Sequence, residues 1–429
     1  MNMLSVDQDS ALQVFSAGHN LFLTGPGGTG KSFLIRLFAE SKKKVQVCAM
    51  TGTAAMLLAC KATTLHSWAG IGTGTGDLVT KVSDSFVSQK RWKTVDILIV
   101  DEVSMMSLEL FEQLDRIGKT IRRSKNPFGG MQVVFCGDFC QLPPVVTDGS
   151  NISYCFQSKI WKETFSHELV LTTIHRQKDV LFRKILQQIR TGKITRSSYD
   201  MLMTRVISDE HRPTFAVTRI VPTRDKADHI NTTEYVNLNS EEVVYSSKIN
   251  KQHEMTSAKL KQRSFIPKQT FDNECDYLLN RRVTADIKLK VGTHVMCTHN
   301  VDETLCNGSQ GIVRSFLHGM PVVEFTHDRK ERTMNRIVIE SDKIPGLAVT
   351  QVPLMYAWAI TIHKAQGATL DAAVIDIGSG IFEKGQTYTA LSRLSSFEHL
   401  YLTSFDPTKI KTDPIVHSFY TNLAEKTSG

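Results

Sequence analysis

An α/β fold with two parallel sheets is the architecture the sequence predicts, and three observations predict it. Apolar runs of strand length alternate with helix-period segments over the first 140 residues. A glycine-rich loop joins the first such run to the first of the helical segments after it. Strand-like runs with polar ends return after residue 350. Strands alternating with helices favour a parallel sheet covered on both faces, with functional residues in loops at the carboxyl ends of the strands.

LFLTG (21–25), KVQVCAMTG (44–52), VDILIVDE (95–102) and MQVVFCGD (131–138) are rich in β-branched or aromatic residues and end at a glycine or an acid. Each is expected to be a buried strand. Leu108, Phe111, Leu114, Ile117 and Ile121 recur at helical spacing between the last two, which predicts a helix there. TRIVPTRDKADHIN (218–231) reads as strand, turn and helix, and WAITIHKAQG, DAAVIDIG and HLYLTSF supply the later strands. From about 245 to 345 the chain is rich in Lys, Asn and Thr, with short alternating runs such as IKLKVGTHVMCTH and GIVRSF. A small β domain inserted into the second α/β region is expected there. Residues 1–170 would then form one domain, 171–244 with 346–429 a second, and 245–345 the insertion.

The 429 residues suffice for two or three domains. No run of eighteen apolar residues is present, so no membrane span is expected, and MNMLSVDQDSALQVF lacks the pattern of a secretory signal. Eight cysteines form no set of paired CxxC units, and the nearest pair, Cys136 and Cys140, has no second pair to complete a zinc site. Reduced thiols in a reducing intracellular compartment (nucleus, mitochondrion, bacterial cytoplasm or viral replication site) are the expectation. A net charge of +8 suits a polyanionic partner. Charge alone is equally compatible with a solvated basic surface.

GPGGTGKS (25–32) follows a strand and precedes a helical run, the context that makes this spacing a phosphate-binding loop. Backbone N–H groups of Gly25, Gly27, Gly28, Thr29 and Gly30 would cradle phosphate at the positive end of the helix. Lys31 would reach the β- and γ-phosphates and the Ser32 hydroxyl would hold Mg²⁺. LIVDEVSMM (98–106) supplies the partner motif: Asp101 for Mg²⁺ and Glu102 to polarise the attacking water. Together they predict an enzyme using ATP and Mg²⁺, a description that kinases, transporters, remodelers and helicases share.

Later motifs discriminate. GDFCQLPPV (137–145), QVPLMYAWAITIHKAQGATLD (351–371) and GQTYTALSRL (385–394) resemble the third, fifth and sixth motifs of superfamily-one helicases. TGTAAMLL with TTLHSWAGIG (51–72), PFGG ahead of the third motif and NGSQG (307–311) resemble the PIF-type (petite integration frequency) branch, superfamily 1B, akin to the RecD and Dda helicases. The resemblance runs from Leu4 to about Leu402. It implies two RecA-like domains, a short wedge insertion at about 72–92 in the first, and a small barrel of the Src-homology type in the second. The implied activity is ATP-dependent 5′-to-3′ translocation on single-stranded DNA and unwinding of duplex DNA, with quadruplex DNA left open. The implied partners are single-stranded and forked duplex DNA, engaged by a monomeric motor, in the replication, recombination and repair setting of the family.

Position by position, the resemblance implies that Gln8 grips the adenine edge, Gln141 senses the γ-phosphate, and Arg176 and Arg393 clamp it. Gln366 and Gly367 would lie near the nucleotide. Thr51, Thr53, Thr64 and His66 would line the DNA strand, joined by His363 and Lys364, with Trp68 undecided between contact and core. Cys140 and His175 depart from the larger or aromatic residues usual in the family. A superfamily-one RNA helicase, an oligomeric P-loop ATPase remodeling protein–nucleic acid complexes, and a DNA-binding module with a dead ATPase are the competing readings.

Overall fold

The computed structural model describes residues 4–428 apart from 59, 73, 75, 146–150, 209–216, 280–285, 300, 303–304, 306–308, 327 and 342–343. Two residues of the NGSQG segment, Asn307 and Gly308, therefore lie outside the described residues. The chain divides into one unit of Met1–Arg212, Ile220–Thr223 and Thr361–Gly429, and another of Pro213–Arg219 and Arg224–Ile360.

The first unit opens with α1 (Val6–Ser16), β1 (Leu21–Thr24), α2 (Lys31–Ala39), β2 (Val45–Ala49), α3 (Gly52–Leu57), β3 (Thr63–Thr64) and α4 (Leu65–Ala69). There follow α5 (Leu78–Ser83), α6 (Phe86–Thr94), β4 (Ile97–Asp101), α7 (Leu108–Arg122), β5 (Gln132–Gly137), α8 (Lys159–Thr164), β6 (His167–Val170), α9 (Val180–Arg190) and α10 (Arg196–Met203). The four expected strands are β1, β2, β4 and β5, and the expected helix is α7. They build a six-stranded sheet, β3-β2-β4-β5-β1-β6, in which every pair is parallel. Alternation along the strands divides the core in two. Leu21, Leu23, Ile97, Ile99, Val134 and Cys136 join Leu34 and Phe38 of α2 on one face. On the other, Phe22 meets Trp161 at 5.0 Å and Phe111 meets Phe135 at 5.8 Å between ring centroids.

The 72–92 segment carries α5 and α6. Trp92 is buried, donates from Nε1 to the Ala69 carbonyl at 3.1 Å and lies 4.8 Å from the Trp68 ring. Trp68, 3% exposed, is thus a core residue.

Next in chain order come β7 (Thr218–Val221) and α11 (Arg224–Val236), the expected strand and helix. The second unit continues with β8 (Val243–Ser246), β9 (Lys248–Asn250), α12 (Ser257–Arg263), α13 (Lys268–Tyr277), β10 (Asp286–Leu289), β11 (His294–Cys297), β12 (Gln310–Leu317) and β13 (Met320–Phe325). It ends with β14 (Glu331–Thr333), β15 (Ile337–Glu340), β16 (Ala348–Gln351) and β17 (Leu354–Tyr356). An antiparallel sheet, β14-β13-β12-β11-β17, encloses Val295, Val313, Val323, Phe325 and Leu354. The β-rich insertion is present with two differences from expectation. It contains two helices, α12 and α13, that the residue pattern does not predict. Strands β16 and β17 lie beyond residue 345 yet pair with β15 and β11.

After β18 (Ala359–Thr361), the first unit resumes with α14 (Ile362–Ala365), β19 (Ala373–Ile377), α15 (Gln386–Leu391), β20 (Leu400–Phe405) and α16 (Pro414–Ser428). Strands β19 and β20 pair in parallel, so both parallel sheets expected of two RecA-like domains are present. Helix α16 lies against the first sheet: Phe419 stacks on Phe156 at 4.3 Å and approaches Phe22 at 6.0 Å. No helix among the described residues is long and apolar enough to cross a membrane.

Candidate functional site

Strand β5 lies between β1 and β4, so the loops leaving three adjacent carboxyl ends meet. The loop after β1 is the glycine-rich one, the loop after β5 carries Asp138 and Gln141, and β4 ends at Asp101. Gly28 and Gly30 have left-handed backbones, with φ of 87° and 89°. A Cβ on Gly28 would lie 2.6 Å from Cβ of Arg176, and one on Gly30 the same distance from Nε2 of Gln8. Glycine is therefore required by φ at both positions, and at Gly28 also by crowding, since the Gln8 amide beside Gly30 is the movable end of its side chain. Gly30 is the N-cap of α2 and offers no side chain to its first N–H groups. Ser32 stands exposed in the first turn.

Lys31 donates from Nζ to the carbonyls of Gly25 (2.7 Å) and Pro26 (3.1 Å). Burial lowers its affinity for the proton, against the pull of Asp138, Glu102 and Asp101. Asp101 is pushed up to about 7, first by burial and then by Glu102. Glu102 has a left-handed backbone (φ 56°), uncommon outside glycine and typical of functional turns. Its Oε2 accepts from Gln366 Nε2 at 3.0 Å, while Oε1 of Gln366 is buried with no partner among the described residues.

Arg393, 2% exposed, donates to the Thr389 carbonyl (2.9 Å), the Ser392 hydroxyl (2.9 Å) and Oε1 of Gln141 (3.3 Å). Arg176 donates to the Ser392 carbonyl at 2.8 Å. Burial, and then Arg393, pushes Arg176 down to about 9. These four acceptors are all neutral. A buried Arg393 and a half-buried Arg176 held on neutral acceptors are costly unless an anion arrives, so the cleft favours a polyanion. Gln8 closes a capping box on α1 and points Nε2 at the Thr29 carbonyl (3.3 Å) and at His175 (3.4 Å). It stands beside the phosphate loop.

The expected nucleotide set thus comes together with one exception. Gly367 does not reach the loop: a Cβ there would meet Leu57 at 3.2 Å and Ala54 at 3.7 Å, so it packs on α3. That contact brings the segment holding His363 and Lys364 against the helix that follows Thr51. Thr51 and Thr64 sit at the starts of α3 and α4, where their hydroxyls accept from the N–H groups of Ala54 and Ser67. Thr53 and His66 are half-buried, and burial lowers the His66 pKa. His363 lies 3.5 Å from Glu383, and Lys364 is exposed.

Sequence reasoning missed the group around Asp138. This buried carboxylate is bound by Arg190 through Nε (3.0 Å) and a terminal nitrogen (2.9 Å), by the hydroxyls of Tyr388 (3.2 Å) and Tyr420 (3.1 Å), and by the Cys140 N–H (3.2 Å). Burial alone would raise its pKa, but Arg190 holds it below the usual carboxylate range. The GD step ahead of Gln141 was the one local signal; Arg190, Tyr388 and Tyr420 had none.

Residues 3–200 match the family model described as PIF1-like helicase, and residues 278–316 match that of the DNA helicase Pif1 2B domain. The chain is 34% identical to the ATP-dependent DNA helicase PIF1 of Danio rerio over 99% of its own length and 64% of the relative's. It is 33% identical to the Pif1 helicase of Bdellovibrio bacteriovorus, over 97% of this chain and 91% of that one. The crystal structure of Pif1 helicase from Candida albicans is similar with a TM-score of 0.77 and 32% identity, covering 99% of this chain and 100% of that one. A Bacteroides Pif1 structure in complex with ADP-AlF3 and single-stranded DNA is similar with a TM-score of 0.69 and 25% identity, covering 100% and 99%. The chain spans about 64% of the length of the Danio rerio relative.

Proposed function

Because this chain belongs to the PIF1-like helicase family, we propose that it hydrolyses ATP to move 5′ to 3′ along single-stranded DNA and to unwind the duplex ahead. The observation that carries the reading is the buried Arg393 and the half-buried Arg176, both on neutral acceptors, with Arg176 against the phosphate loop at Gly28 and Arg393 bonded to Gln141. Lys31 and the N–H groups at the start of α2 hold phosphate oxygens. Arg176 and Arg393 stabilise charge that grows on the γ-phosphate, and Glu102 orients the attacking water. Gln141, bonded to Arg393, carries the phosphate's presence to the loop beyond.

Ser32 and Asp101 are the residues to hold Mg²⁺. The fit is chemical: a buried carboxyl crowded by Glu102 is relieved by a cation. The ion would neutralise phosphate charge when bound. The DNA strand is read along the α3 and α4 starts, through Thr51, Thr53, Thr64 and His66, with His363 and Lys364. The motor acts as a monomer in a reducing compartment on this reading, in keeping with free thiols at the seven described cysteines. On this reading the RecA-like domains are 1–170 and 171–244 with the chain after about residue 356, around an inserted β domain that takes in β16 and β17.

The test is ATP hydrolysis with and without oligo-dT, then unwinding of duplexes with a 5′ or a 3′ tail, with Lys31→Ala as control. Hydrolysis stimulated by DNA and unwinding from the 5′ tail alone are expected. Stimulation by RNA in place of DNA would move the reading to an RNA helicase, and unwinding from the 3′ tail alone would overturn the polarity. Melting one base-pair step costs about 1.4 kcal/mol, a small load for such a stroke.

The wedge belongs to the 72–92 segment, where Phe86 is 79% exposed and Val87 56% exposed in the first turn of α6. Such a ring can stack on a base at a fork, an interaction worth about 1–3 kcal/mol per base. Phe86→Ala is expected to slow unwinding severalfold and leave oligo-dT-stimulated hydrolysis intact. Equal losses in both assays would remove Phe86 from strand separation.

A further inference from the structure

The Asp138 cluster ties together pieces of chain that the nucleotide chemistry alone does not need. Asp138 takes five donors on about four lone-pair sites, so it is saturated. Tyr388, 3% exposed, gives its proton to Asp138 and accepts the N–H of Gly27, in the phosphate loop, at 2.9 Å. Tyr420 of α16 gives its proton to the same carboxylate and accepts the Phe139 N–H at 3.1 Å. It also lies 2.7 Å from the Thr24 hydroxyl at the end of β1. Each hydroxyl's donor and acceptor capacity is used.

We propose that Asp138, Tyr388 and Tyr420 form a positioning joint that couples nucleotide occupancy at the phosphate loop to the docking of α16 and to the placement of Gln141. The joint rests on the ATPase reading above. Movement of Gly27 as the loop grips phosphate pulls on the Tyr388 hydroxyl, and the pull reaches Asp138. From there it has three outlets: Arg190 at the end of α9, Tyr420 on α16, and the Cys140 N–H next to Gln141. Gln141 accepts from Arg393, so its position sets where that guanidinium points. A contiguous hydrogen-bonded network of this kind is a physical route for coupling, and its existence is decided by measurement. None of the three touches the reacting atoms; they are positioning residues.

Tyr388→Phe and Tyr420→Phe keep the rings and delete one hydroxyl each. The expected result is a kcat for DNA-stimulated hydrolysis lowered about tenfold in Y388F, with KM for ATP changed less than about threefold, and a smaller fall of the same kind in Y420F. The second readout is amide hydrogen exchange with and without ADP plus aluminium fluoride. In the wild-type chain the nucleotide slows exchange both in the phosphate loop and in α16; in Y388F it slows the loop only. Melting temperature and oligo-dT affinity serve as folding controls. The joint is overturned if α16 is insensitive to nucleotide in the wild-type chain, or responds equally in Y388F with kcat unchanged. A wild-type chain that binds nucleotide without hydrolysing it would overturn the motor reading alone, and the exchange measurement would still decide the joint.

Discussion

Replacing Arg393 with alanine is expected to lower DNA-stimulated kcat by about 10³-fold or more, the scale of an arginine finger in phosphoryl transfer. The KM for ATP should move only a few fold, because the guanidinium acts on charge that grows in the transition state. Its present acceptors are the Thr389 carbonyl, the Ser392 hydroxyl and Gln141 Oε1. These hold the planar group in place without neutralising it, which leaves its charge available to the γ-phosphate. Arg393→Lys should fail to rescue the rate: an ammonium keeps the charge and loses the fork that makes three bonds at once. Single-turnover hydrolysis beside equilibrium binding of a fluorescent ADP separates the two effects. A tenfold rise in KM with kcat intact would mean that Arg393 merely binds the ground state.

What could be read from the sequence and what could not divide along a physical line. Strands β1, β4 and β5 are buried on both faces, and their unbroken apolar runs announce this within a few residues. The phosphate loop is a local object in which glycine φ values and the following helix do the binding. Its partners Arg176 and Arg393 were legible through ordered motifs; Arg176 meets the loop at Gly28, and Arg393 bonds Gln141 in the loop after β5.

The Asp138 joint was not legible, because it is assembled from residues 52, 250 and 282 positions apart in the chain. No periodicity reports such a meeting. The docking of α16 is hidden for the same reason, being settled by Phe419 against Phe22 and Phe156. Trp68 illustrates the point at short range: its role is decided by Trp92, whose ring covers it. Thr51 and Thr64 show a different ambiguity. A threonine at a helix start serves as a cap through the same oxygen that would meet a phosphate, and residue identity does not separate the two roles. Helices α12 and α13 escape a reading of residue pattern because they are short and strongly polar, with little apolar stripe to betray their period.

Glu102 carries the second large effect. Glu102→Gln keeps the size of the side chain and an oxygen to accept from Gln366, so the left-handed turn and the 3.0 Å contact can persist. What is lost is the capacity to take a proton from the attacking water, and kcat should fall about 10²–10⁴-fold, the range of general-base removal. Nucleotide binding should survive, with a pH signature. Asp101 is held up to about 7 by burial first and by the Glu102 charge second. Removing that charge lets Asp101 ionise at lower pH, so more of it is anionic at pH 6 in the variant than in the wild-type chain. Affinity for ADP in the presence of Mg²⁺ should therefore weaken from pH 8 to pH 6 in the wild-type chain and weaken less in E102Q. If both proteins lose affinity equally over that range, Glu102 is not what holds the Asp101 proton. If kcat falls less than about tenfold, the water is activated by another group.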